Sequence, residues 1–88
     1  MAKYVTVRVT QWDIDNGLRG SSNDCPIAIA LGRAGYPDAV VFGAFWRPTH
    51  PALSVPMSRP AAKFADRFDD GESVNPSTFH LPLVPILL

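Results

Sequence analysis

Val5, Val7 and Val9 alternate with Thr6 and Arg8, whereas Ala61, Phe64, Ala65 and Phe68 recur at three- and four-residue intervals. A chain that changes its hydrophobic period in this way must build both strands and helices around a common core. With 88 residues there is room for one such core. Residues 1–88 are therefore expected to form a single α+β domain, with an apolar C-terminal tail at 81–88. A core this small must bury much of its apolar content to offset chain entropy. The composition allows it, with 47% apolar residues that include five Phe, two Trp and two Tyr.

The β-branched run from Tyr4 to Thr10 predicts a strand with one buried face. Thr10-Gln-Trp-Asp13 resembles a capping box, with Asp13 in the place usually held by Glu or Gln. A short helical turn over Gln11–Asn16 follows, ended by Gly17 in a left-handed conformation. Asp24-Cys25-Pro26 opens a second helix, with Asp24 or Cys25 as cap and Pro26 near the first position, where a missing N–H costs nothing. Ile27, Ala30, Leu31 and Ala34 line one face of this helix, and Gly35 ends it. Ala39–Trp46 reads as an inner strand, apolar on both sides. Val41, Gly43 and Phe45 point one way; Val40, Phe42, Ala44 and Trp46 point the other. Ala52–Val55 is a short third strand that Pro56 confines to an edge. Ser58 caps the last helix, which turns Lys63, Asp66, Arg67 and Asp70 to water and stops at Gly71. Thr78–Leu81 is a final strand. The expected order is β-α-α-β-β-α-β, a small mixed sheet of three to four strands with two main helices packed on it. Pro82 and Pro85 keep the tail extended. It lies across its own domain or covers a second copy in a homodimer.

Eight basic and eight acidic side chains cancel. Generic nucleic-acid binding needs a basic surplus, so the balance argues against it. The charge is uneven, with residues 60–88 holding Lys63 and Arg67 against Asp66, Asp69, Asp70 and Glu72. Such an acidic patch can steer a basic partner. Cys25 is the single cysteine, which excludes an internal disulfide and a cysteine-based zinc site. The opening Met1–Arg8 has no signal-peptide core, and no apolar run approaches the roughly 20 residues of a membrane span. A cytoplasmic protein without membrane contact is expected.

Cys25 at a helix start has neighbours that can lower a thiol pKa, but a nucleophile also needs a base. His50 and His80 are the only histidines, and neither has an orienting partner in sequence. The expectation is a buried structural thiol and a non-enzymatic protein, without cofactor or metal. Arg19-Gly20-Ser21-Ser22-Asn23 leads into the same helix start. Arg19, Ser21 and Ser22 could hold an anion there, although the loop lacks a phosphate-loop pattern.

Two segments in order, Val7–Gly17 with Cys25–Leu31 and Phe64–Val74 with Pro76–Pro82, resemble a family of small, mostly uncharacterised proteins encoded by bacteriophages and related mobile elements. The resemblance spans most of the chain outside residues 36–57 and brings no catalytic residues. It implies a phage accessory protein. By analogy of size and genome type, it implies one that binds and inhibits or redirects a host protein complex, such as a CRISPR interference complex. The partner would meet Trp12, Asp13, Asp69, Asp70 and Glu72. The alternative is a small nucleic-acid or anion-binding regulator using Arg19, Ser21 and Ser22 with Arg33 and Arg47.

Overall fold

The computed structural model describes residues 4–48 and 54–83. In chain order the elements are β1 (Tyr4–Val9), α1 (Gln11–Asn16), α2 (Pro26–Arg33), β2 (Val40–Phe42), β3 (Phe45–Arg47), β4 (Val55–Pro56), α3 (Arg59–Asp69) and β5 (Ser77–Pro82). The class is α+β, as the changing period requires. Alternation on β1 turns Val5, Val7 and Val9 inward. β5 lies antiparallel beside it and sets Leu81 opposite Val5 and Phe79 opposite Val7. The first and last described strands thus form one apolar face, against which α2 packs.

The sheet differs from the expected single mixed one. β1 and β5 form one antiparallel sheet, and β2, β3 and β4 form a second. The cause is local. Gly43 has φ +56°, open to glycine and strained for other residues, so the run expected as one inner strand reverses at Gly43-Ala44 and becomes a hairpin. Reversal changes which residues share a face. Val41 pairs with Trp46 on the buried side, and Phe42 pairs with Phe45 on the exposed side. The element order accordingly gains one strand. β4 is the edge strand foreseen from Pro56, but begins at Val55; positions 52 and 53 lie outside the described residues.

The helix ends follow the sequence closely, with two corrections. The Thr10 hydroxyl accepts from the Asp13 N–H, and the Asp13 carboxylate accepts from the Thr10 N–H, completing the capping box. Cys25 caps α2, its sulfur accepting from the Ala28 N–H at 3.4 Å. Gly17 is extended, not left-handed. Glycine is needed there because a Cβ would lie 2.7 Å from Pro26 Cδ. Ser58 occupies the cap position of α3, yet its side chain makes no capping bond. Ala61, Phe64 and Phe68 face the core from α3.

Trp46 is fully buried and joins the two sheets. Its indole N–H donates to the Pro82 carbonyl at 3.0 Å, and Tyr36 meets its ring edge-on at 5.7 Å. Phe64 and Phe79 make a second edge-on pair at 5.4 Å, fastening α3 to β5. Leu81 is fully buried and Leu83 packs on the same core, so the start of the tail lies on its own domain. The rest of the tail, 84–88, lies outside the described residues. Among the described residues no helix is long and apolar enough to cross a membrane.

Candidate functional site

The loop at 18–24 and the acidic end of α3, read from sequence as two separate candidate surfaces, meet in space. Arg19 Nε donates to the Phe68 carbonyl at 3.2 Å, and its guanidinium carbon lies 5.9 Å from the centre of the Phe68 ring. A cation over the last carbonyls of a helix complements its dipole. The Gly20 N–H donates to Asp69 Oδ1 at 3.0 Å. The loop proposed to hold an anion therefore already holds the chain's own carboxylate. Ser21 Oγ accepts from the Asp24 N–H at 3.1 Å and shapes the turn before α2. The Ser22 carbonyl accepts from the Val41 N–H at 2.9 Å and ties the loop to β2.

These ties border a cleft of about 180 Å³ between the loop, the start of α2, the hairpin and the C-terminal half of α3. Cys25, Ile27, Val41, Phe64 and Phe68 lie beneath it, each almost fully buried, so the surface it presents is mostly polar. Its rim carries Ser21, Ser22, Phe42, Asp66 and Asp69. Phe42 and Phe45 stand side by side on the exposed face of the hairpin, 38% and 44% exposed. The ion pairs among the described residues are Asp13–Arg33 and, at 3.6 Å, Arg67–Glu72. Asp66, Asp69 and Asp70 have no cationic partner among those residues.

The residues expected to contact a partner fall into two groups. Asp69 rims the cleft, Asp70 and Glu72 follow it on the exposed end of α3, and Trp12 is 61% exposed on α1, away from the cleft lining. Asp13 is a correction. It is fully buried, and Arg33 grips both its oxygens at 2.6 Å. Burial by itself would raise the Asp13 pKa. The Arg33 hydrogen bonds, the bonds from Thr10 and the Arg33 charge outweigh it, holding the carboxyl below its ordinary value. Arg33 also donates to the Arg8 carbonyl at 2.9 Å, so the fork locks β1, α1 and α2 together. The cover over Asp13 is the half-exposed guanidinium itself.

The cations of the anion-binding alternative do not converge. Arg19 is engaged at α3 and Arg33 at Asp13, and Arg47 lies 6.0 Å from the centre of the Phe42 ring. Burial pushes the Cys25 thiol pKa up, outweighing the helix-start N–H groups that would lower it. His80 sits on the outer face of β5, its Nδ1 3.2 Å from Thr6 Oγ1, while Cys25 is in the core. The two therefore do not form a nucleophile–base pair, and His50 lies outside the described residues. No group of three or more His, Cys, Asp and Glu suited to a metal ion occurs among the described residues.

Sequence reading placed Asp66 in the acidic patch but missed Phe42 at the cleft and Phe45 beside it on the hairpin. The available signal was Gly43-Ala44 between two aromatic residues, a two-residue hairpin loop with glycine first. Comparison with family models, curated proteins and solved structures found no match to this chain.

Proposed function

We propose that this chain is a non-enzymatic accessory protein of phage type that binds a host protein complex in the bacterial cytoplasm and inhibits or redirects it, a defence system such as CRISPR interference being one such target. The observation that carries the docking part is the pairing of two exposed phenylalanines on the hairpin with a cleft edged by carboxylates that have no cationic partner among the described residues. Exposed aromatic residues are enriched at protein interfaces, and the carboxylates favour a basic partner surface. The internal use of Arg19 and Arg33 weighs against the nucleic-acid alternative. The phage and host assignments rest on the sequence resemblance alone. The apolar tail is proposed to contribute to a homodimer.

Affinity capture from bacterial host lysate, with proteins identified by mass, tests this reading. The parent chain should retain a defined complex. A Phe42→Ser/Phe45→Ser variant with unchanged circular dichroism should lose it. Equal capture by both, or retention of nuclease-sensitive nucleic acid in place of protein, would sink the docking assignment.

A further inference from the structure

We propose that the outer edge of β1 pairs antiparallel with the same edge of a second copy of this chain, about a twofold axis at Thr6; this goes beyond the host-docking reading and does not depend on it. The direction of the backbone groups comes first. Tyr4 lies opposite Pro82, which has no N–H, so these two cannot exchange both bonds of a hydrogen-bonded pair. Bonded and non-bonded pairs alternate along an antiparallel ladder. Val5, Val7 and Val9 therefore bond to β5, and Tyr4, Thr6 and Arg8 turn their N–H and C=O groups to the opposite edge. Two side-chain bonds agree with this. The Trp46 indole reaches the Pro82 carbonyl from the second sheet, and Arg33 Nη2 donates to the Arg8 carbonyl at 2.9 Å.

Among the described residues β5 is the one strand beside β1, and Arg33 makes the one hydrogen bond to the outer edge. Nothing in the strand blunts that edge. Its six residues hold no proline, keep an unbroken register with β5, and carry a single charge, Arg8. A sheet of two strands also gains stability from further strands. What selects a second copy is self-complementarity. The antiparallel register centred on Thr6 uses all three outward residues and obeys the symmetry of a dimer. It sets Thr6 opposite Thr6 of the second copy, Tyr4 opposite Arg8, and Val5 opposite Val7. Threonine pairs and β-branched apolar pairs stabilise neighbouring strands, and an arginine beside a tyrosine ring gains a cation–π contact. Tyr4 is 61% exposed, and Thr6 and Arg8 are exposed, so their side chains are available on the outer face. The valines continue the apolar face against which α2 packs. A carbonyl has two lone pairs, so the Arg8 carbonyl can accept from Tyr4 of the second copy while Arg33 stays bound.

Amide hydrogen exchange on the full-length, isotopically labelled chain tests this, read beside sedimentation from micromolar to millimolar concentration. The Val7 N–H bonds to β5 and should be protected throughout. The Thr6 and Arg8 N–H groups should exchange fast in dilute solution and slow by at least about tenfold as the dimer forms. Thr6→Lys sets two like charges opposite one another across the axis. Thr6→Pro removes an N–H that the pair needs and the monomer does not use. Both variants should stay monomeric while Val7 remains protected. A parent chain that sediments as a monomer to millimolar concentration overturns the proposal. A dimer whose Thr6 amide exchanges as fast as in dilute solution also overturns it and places the interface on another surface, such as the tail. So does a dimer that survives Thr6→Lys. Protection of Thr6 only in a complex with a host protein gives the edge to a foreign strand, against the proposal and in favour of the docking reading.

Discussion

Asp13 is the residue at which local and tertiary demands converge. Its position three after Thr10 makes it the third-residue half of the capping box, and the same carboxylate accepts hydrogen bonds from both terminal guanidinium nitrogens of Arg33. Removing Arg33 uncovers the carboxylate to water and leaves it the Thr10 bond. Arg33→Ala should therefore lower stability by roughly 1.5–3 kcal/mol, the worth of hydrogen bonds to a charged group rather than the penalty of a stranded buried charge. Urea unfolding at neutral pH measures it, and a loss below about 0.5 kcal/mol would mark an ordinary surface pair. The pH dependence has a definite sign. The Asp13 pKa is lowered on folding, so its contribution is complete above the unfolded-state value of about 3.9. It is lost as pH falls through the lower folded value. The stability gap between the parent and Asp13→Asn should be constant near neutrality and close on acidification below about pH 4.

At the scale of elements, the hairpin and α3 make the site. The hairpin exists because one glycine takes a positive φ. Without it, Trp46 and Val41 would point to opposite sides of one strand, and Phe42 would not reach the cleft. Gly43→Ala meets no atom within 4 Å of its new Cβ, so its cost is conformational only. It should destabilise the fold by about 1 kcal/mol through the left-handed backbone, seen as a lower thermal midpoint. An unchanged midpoint would mean the turn relaxes into another conformation. α3 was legible as an amphipathic helix from Ala61, Phe64 and Phe68. That its acidic end touches the Arg19 loop was not, because the Gly20–Asp69 bond spans 49 residues.

For the whole molecule, closure depends on β5 returning to β1, with Trp46 bonded to Pro82 across the join. Leu81 and Leu83 are used in this closure. If 84–88 cover a second copy, truncation after Leu83 should convert a dimer to a monomer by light scattering. A full-length chain running as a monomer at high micromolar concentration would remove the tail from the interface.

The sequence by itself determined the α+β class, the three helices, the Thr10–Asp13 capping box and the inward faces of β1 and α3. Each of these rests on hydrophobic period or on bonds between residues three or four apart, which operate over a few neighbouring positions. Tertiary structure decided the rest. It split the strands into two antiparallel sheets, made Asp13 a buried ion-pair centre and gave the Arg19 loop to Asp69. It also set Phe42 beside Phe64 and Phe68 at one cleft. These outcomes depend on pairings between distant segments, whose register follows from which apolar faces fit together once the chain has closed. No local pattern encodes that choice, and the candidate site is built almost entirely from it.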